Sequence, residues 1–396
     1  MRRRIKKQFV WLGLILFATV MVCEGLAKIA MYYGLNIRTF DYSRYYSQDP
    51  NLNRLTWLDD YQVHPYFGYD DNGIRRFELL RENLTANDFV IGVLGGSVAE
   101  RFAEYATNEP EVLADLHNAI PALAKKNLHI VNLAIGAAKQ PQQFFIAAYF
   151  LDSLDLVINI DGFNDAQRVD LRPVYPLDFP LLSLKFYSRV NEGSVIARLG
   201  RLGIWTYKAM DSLPRRAPFL SHSSLYFVAW YAIHGNLYNL IRTLEQSYYS
   251  AAIEKQRAPG SPALDPTSVL DERIRTWKRY TILQSELGFR AQKPMFFFLQ
   301  PNQYLKGSKS LSDEERRTAF DERSSKDFHE GMMRLRGELN QLRGSGVRIV
   351  DLTGIFRATS ETIYIDACCH LNSRGNEIMG QEILGVISQY YREGGK

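Results

Sequence analysis

Four short stretches carry side chains whose types and spacing suit acyl chemistry. Gly95-Gly96-Ser97 puts a serine on a tight glycine turn. A serine placed so between a strand and a helix exposes its hydroxyl and lies near backbone N–H groups, which suits a nucleophile and one oxyanion donor. A plain turn or a phosphate-cradling loop has the same composition. Gly136, in Asn132-Leu133-Ala134-Ile135-Gly136-Ala137, lets a backbone N–H approach a ligand or serves only as a turn. Asn164, in Asp161-Gly162-Phe163-Asn164-Asp165, offers its amide to a developing oxyanion or closes an Asx turn. In Asp366-Ala367-Cys368-Cys369-His370-Leu371-Asn372, His370 suits a general base oriented by Asp366. The bland reading there is a capping Asp and a structural His. Adjacent cysteines lack the two-to-four-residue separation that brings both to one ion, so no metal is expected. No cofactor is expected either.

The elements that must position these groups read as a parallel α/β sheet. Five short apolar runs, Phe89–Leu94, His129–Ala134, Asp155–Ile160, Met295–Gln300 and Val347–Leu352, suit strands buried on both faces. Helical segments are expected at Glu111–Lys126, Pro141–Leu154, Asp271–Phe289, Asp327–Leu342 and Asn376–Tyr391. Strand–helix alternation predicts a three-layer α/β/α sandwich around a five-stranded parallel, flavodoxin-like sheet. Ligands of such sheets bind beyond the C-terminal strand ends, where Ser97, Gly136, Asn164 and the Asp366/His370 pair all fall. Residues 89–165 and 271–396 form this core. Residues 34–88 read as an irregular lead-in. Residues 166–270 read as a mostly helical insertion, or cap, with a helix over Ser224–Gln256 and a loop at Pro259–Pro266. Its aromatics, Trp205, Tyr207, Tyr226, Phe227, Trp230, Tyr231, Tyr238, Tyr248 and Tyr249, read as the packing core of that cap rather than a ligand site.

The chain has 396 residues, 48 Lys and Arg, 43 Asp and Glu, and three cysteines. Hydrophobic residues at 46% exclude a disordered chain, and three cysteines exclude a disulfide-stapled mini-fold. Five cations lie in residues 1–7, leaving 43 charges of each sign in the remainder. The formal excess of +5 therefore belongs to the N-terminal flank, and nucleic acid is not an expected partner. An uncharged run from Phe9 to Cys23 follows that flank. It gives ~22 Å of helix, and continuation to Tyr33 supplies the rest of a ~30 Å hydrocarbon core. No small-x-small cleavage site is evident, and Val22 before Cys23 does not suit a lipoprotein. Residues 1–33 thus read as a basic flank and an uncleaved signal anchor, with Glu24 and Lys28 paired on one face. The positive-inside rule keeps the flank cytoplasmic and exports the rest.

Together, Ser97, Gly136, Asn164 and Asp366/His370 resemble the four blocks of the SGNH/GDSL hydrolase superfamily, over roughly residues 89–165 and 290–396. The lead-in His64-Pro65-Tyr66-Phe67-Gly68-Tyr69 is similar to membrane-anchored bacterial members. The resemblance implies Ser97 as nucleophile and oxyanion donor, Gly136 and Asn164 as the other oxyanion donors, His370 as base and Asp366 as its partner. Three departures stand out. The first block has Gly96 where the family has Asp. Ala137, rather than Gly136, falls at the glycine position in an alternative register. Three residues separate Asp366 from His370 where the family has two, which opens a Ser97–His370 dyad as the alternative to a triad.

The expected function is a membrane-tethered, extracytoplasmic serine ester hydrolase acting through an acyl-enzyme on a cell-envelope glycan or lipid ester. An O-acyltransferase with the same acyl-enzyme is the first alternative, and a non-catalytic glycan-binding or assembly protein is the second. Cys368 and Cys369 are expected as two buried thiols beneath the His loop, ahead of a strained disulfide between neighbours.

Overall fold

The computed structural model describes residues 2–39, 41–46, 64, 66–67, 73–166, 195–256 and 266–394. Half of the His64–Tyr69 lead-in motif (Pro65, Gly68 and Tyr69) and residues 259–265 of the expected loop lie outside them. The elements, in chain order, are α1 (Arg2–Gly34), α2 (Gly73–Arg81), β1 (Asp88–Gly95), α3 (Ser97–Asn108), α4 (Pro110–Ala119), β2 (Asn127–Asn132), α5 (Gln142–Phe150), β3 (Leu156–Asp161), α6 (Val195–Arg216), α7 (Ser224–Gln256), α8 (Pro266–Arg290), β4 (Met295–Leu299), α9 (Asp313–Thr318), α10 (Glu322–Gly344), β5 (Ile349–Asp351) and α11 (Ser373–Arg392). The chain divides into two compact units, Met1–Asp60 with Ser188–Ala252, and Tyr61–Tyr187 with Ile253–Lys396.

The second unit is the α/β core. Its five strands are all parallel, in the order β2-β1-β3-β4-β5. That is the doubly wound arrangement in which the chain runs outward from β1 in one direction and then returns to build the other side. The central strands are buried on both faces because both faces are covered, and β3 adds the buried polar Asn159 and Asp161 to one of them. Phe89, Ile91, Val93, Ile158, Ile160, Phe296 and Phe298 enter one core with Phe102 of α3 and Met379, Ile383 and Ile387 of α11. Val90, Leu94, Val157, Phe297 and Leu299 point the other way, onto Ile146 and Phe150 of α5, Trp277 of α8 and Leu335 and Leu339 of α10. The period of two along each strand thus feeds two helical layers.

The lead-in is not wholly irregular. Within it α2 packs Ile74 and Phe77 into the second core. The helix expected over Glu111–Lys126 is instead α4 followed by a 3₁₀ turn, Pro121–Lys125. Pro121 explains the break, since it lacks the N–H that would continue the ladder and favours a first-turn position.

The first unit holds α1, α6 and α7. Among its described residues, α1 is long and apolar enough to cross a membrane over Trp11–Gly34. Asp211 of α6 is fully buried against α7, accepting from Trp230 Nε1 at 2.7 Å and contacting His234 Nε2 at 3.3 Å. Tyr207 stacks on His234 with ring centroids 3.8 Å apart. These aromatics are the packing core expected of the insertion, but Trp205 and Tyr231 are exposed instead.

Candidate active site

The serine turn is built by steric necessity. Gly95 has φ +144°, and a Cβ there would collide with Ile160 O. A Cβ on Gly96 would collide with Asn164 Nδ2. Glycine at 96 lets the Asn164 amide lie against the serine turn, and any side chain there would displace that amide. Ser97 opens α3, whose ladder begins with Glu100 N–H donating to Gly96 O at 3.0 Å. The amides of Ser97, Val98 and Ala99 lie ahead of that ladder, at the positive end of the helix.

The base comes from a pinched loop before α11. Tyr364 and Leu371 form an antiparallel bridge, with Ile365 N–H donating to His370 O at 3.0 Å and Asn372 N–H to Ile363 O at 2.9 Å. Asp366 and His370 therefore face each other across a hairpin rather than along a chain. Cys369, at φ +70°, takes up the additional residue in the left-handed region. His370 Nδ1 is 2.7 Å from Asp366 Oδ2, and His370 Nε2 is 2.7 Å from Ser97 Oγ. The three expected side chains form one continuous hydrogen-bonded chain, so the spacing that opened a dyad does not separate Asp366 from His370.

Asp366 also accepts from the backbone N–H of Cys368 at 2.9 Å and His370 at 3.4 Å. Burial works to raise its pKa. The His370 ring and these two amides outweigh burial and hold the carboxyl below its ordinary value. An ionised Asp366 accepts only, which puts the imidazole proton on Nδ1 and leaves Nε2 to receive the serine proton.

The oxyanion candidates meet at the same turn. Ile135 N–H donates to Gly95 O at 3.1 Å, tying the second block to the first. Asn164 Nδ2 donates to Ala138 O at 3.0 Å while lying against Gly96. Gly136 is half-buried, and Ala137 is exposed at φ +64°. A non-glycine residue in that region supports Ala137 as the position where glycine would be favoured.

Gln300, Gln303, Tyr304 and Glu315 belong to none of the four sequence blocks. The structure places all four beneath the His loop. Gln300 Nε2 donates to Cys369 Sγ at 3.2 Å, Gln303 Nε2 to Asp366 O at 3.1 Å, and Tyr304 Oη to Ala367 O at 2.8 Å. Glu315 Oε1 accepts from Ile363 N–H at 2.9 Å and Tyr364 N–H at 3.0 Å, and its Oε2 binds Lys309 Nζ and Ser312 N–H, each at 2.7 Å. The signal was legible as Ser312-Asp313-Glu314-Glu315, a capping box that the structure forms.

The two cysteines match expectation in being unbridged and differ from it in the exposure of Cys368. Both are free thiols, Cys369 buried but Cys368 exposed. The Cys369 thiol donates to Cys368 and lowers its pKa to about 7, while burial pushes Cys369 up. Among the described residues no group of three metal-ligating side chains converges.

No protein-family model matches this chain, and no curated protein matches it in sequence.

Two further features lie in the same unit. Asp161 and Asp165, at the two ends of the Asn164 block, are buried, with Lys139 and Arg273 close enough to act on Asp165 electrostatically. Burial, opposed by the Gln140 amide and these two cations, raises Asp165 to about 6. A cleft of about 890 Å³ is lined by Tyr304, Phe320, Lys306, Arg316, Lys326 and Arg357, among others, with no acidic residue in its wall.

Proposed function

We propose that this chain is a membrane-tethered serine ester hydrolase of the SGNH type. The observation that carries the reading is the Ser97–His370–Asp366 chain, with both contacts at 2.7 Å, set at a helix N-terminus beside the Asn164 amide. Ser97 Oγ attacks the ester carbonyl as its proton passes to His370 Nε2. Asp366 holds the ring and stabilises the imidazolium. The carbonyl oxygen, now anionic, is met by the Ser97 amide, the backbone N–H of the Gly136-Ala137 turn and Asn164 Nδ2. The tetrahedral species collapses to an acyl-serine, and His370 returns its proton to the departing alcohol. Water, deprotonated by His370, then releases the acid.

The substrate we favour is an acylated cell-envelope glycan, with a lipid ester as the other class. The cationic cleft shares Tyr304 with the support of the His loop, and its cations suit an acidic sugar. The same cleft would hold a glycan acceptor, so an O-acyltransferase is the second reading. The proposed location is a single-pass inner-membrane protein with its basic end cytoplasmic and the α/β unit outside, supported by the apolar stretch of α1 and the five cations before it.

The test is a serine-reactive fluorophosphonate on the full chain in detergent. Labelling should vanish in Ser97→Ala and weaken in His370→Ala. A folded wild type that takes no label would favour the non-catalytic glycan-binding reading. Product analysis with added sugar acceptors, free acid against acyl-sugar, separates hydrolase from transferase.

A further inference from the structure

The helical unit buries one side of α6 and leaves an apolar stripe on the other. Ile204, Tyr207 and Asp211 of α6 are buried, whereas Val195, Leu199, Leu202 and Leu213 are exposed. At 100° per residue these four share one face opposite the buried one. Trp205 is 69% exposed at its edge, and Phe219, in the link to α7, is 74% exposed. On α7, Leu225, Ile233 and Leu240 are exposed as well. The α6 helix carries Arg198, Arg201, Lys208, Arg215 and Arg216 against a single acid, the buried Asp211. Exposed Trp and Leu beside clustered cations is the composition of a helix lying in the surface of an anionic bilayer.

The depth of this surface is set by Glu24. Its carboxylate caps the start of α7, accepting from Ser223 Oγ at 2.8 Å, Leu225 N–H at 3.1 Å and Ser224 N–H. Met31 packs in the same cluster as Phe227 and Trp230. A membrane-spanning helix needs ~20 residues in hydrocarbon. Every 20-residue stretch that fits between Phe9 and Gly34 contains Glu24. The first turn of α7, with Phe219 and Leu225 beside it, is therefore held at a depth the bilayer occupies, and the three donors satisfy a carboxylate that would otherwise be costly there.

We propose that the α6–α7 hairpin is embedded in the outer-facing interface of the membrane, with its apolar face covered by lipid and its cations on anionic headgroups. This rests on α1 being a span. The insertion would then be a membrane-seated platform rather than a freely exposed cap.

The test uses the full chain in anionic phosphatidylglycerol-containing liposomes whose acyl chains carry bromine, a short-range quencher of tryptophan. Comparison of wild type with Trp11→Phe and Trp205→Phe reports the two sites separately among five tryptophans. Both substitutions should remove a quenchable component. Phe219→Asp and Leu202→Asp should cut the Trp205 component at least twofold with unchanged helicity. A quenched Trp11 with an unquenched Trp205 overturns the inference and leaves the span, whether the face is then covered by a second copy or by another part of the chain. An unquenched Trp11 overturns the span reading, and the inference with it.

Discussion

Glu315 is the most consequential side chain outside the hydrogen-bonded chain itself, and Glu315→Gln tests why. Its carboxylate serves four donors: Lys309, Ser312 N–H, and the N–H groups of Ile363 and Tyr364, which lead into the hairpin bearing Asp366 and His370. Both side chains of the Glu315–Lys309 pair are fully buried. A glutamine keeps one acceptor oxygen and turns donors toward the other pair of donors. The substitution thus leaves a buried cation uncompensated, worth about 3–5 kcal/mol. That corresponds to a fall in Tm of roughly 6–20 °C for a unit of this size. Lys309→Met should cost clearly less, because three backbone donors still hold the carboxylate. Burial raises the Glu315 pKa, but Lys309 and the three amides together lower it below 4.5. A depressed acid stabilises fully above its unfolded value, so the gap between wild type and Glu315→Gln should persist at pH 7 and shrink as pH falls below about 4.5. The assay is thermal unfolding followed by near-ultraviolet circular dichroism, with fluorophosphonate labelling at 25 °C as the functional readout. Labelling should fall even where the variant remains folded, since the strand pinning His370 has lost its clamp. A loss under about 1 kcal/mol, or Lys309→Met as damaging as Glu315→Gln, would refute the backbone-clamp argument.

Three further outcomes follow from the geometry. Asp366→Ala should slow Ser97 labelling on the order of 10⁴-fold, the scale seen when a triad loses its orienting carboxylate; a loss within tenfold would restore the dyad. Asp165, raised to about 6 from an ordinary 3.8, makes the native state bind the extra proton between those values, so its stabilising contribution is complete below pH 3.8 and lost as pH rises through 6. Relative to wild type, Asp165→Asn should accordingly gain stability as pH rises from 4 to 7, read from unfolding midpoints, and a flat difference would contradict the shift. Iodoacetamide should alkylate exposed Cys368 with half-maximal rate near pH 7 and spare buried Cys369 until unfolding; peptide mapping that finds equal modification would sink the assigned roles.

The sheet is legible because burial on both faces writes itself as largely apolar runs, interrupted in β3 only by Asn159 and Asp161. β1, β3 and β4 match their expected runs within a residue or so, and every residue of β3 and β4 is buried. The edge strands were harder. β2 is mostly half-buried and begins at Asn127, two residues before the apolar signal. β5 keeps only Ile349–Asp351 of the six residues expected, because it pairs on one side alone. The α2 helix was missed because nine residues with only Ile74 and Phe77 buried give less than one full apolar repeat.

The candidate site shows the opposite balance between local and long-range information. Residue types and their order along the strands are readable, but the three residues between Asp366 and His370 leave their contact undetermined in the sequence. In the structure their relation is set across a hairpin by Ile365, Asn372 and Glu315, residues that never enter the motif. A hairpin tip can absorb one more residue at the cost of a single left-handed position, here Cys369, while Asp366 and His370 stay in hydrogen-bond contact. Motif spacing therefore constrains chemistry only where the intervening backbone is regular, and the more informative sequence signal for this loop was the capping box fifty residues upstream that fixes its stem.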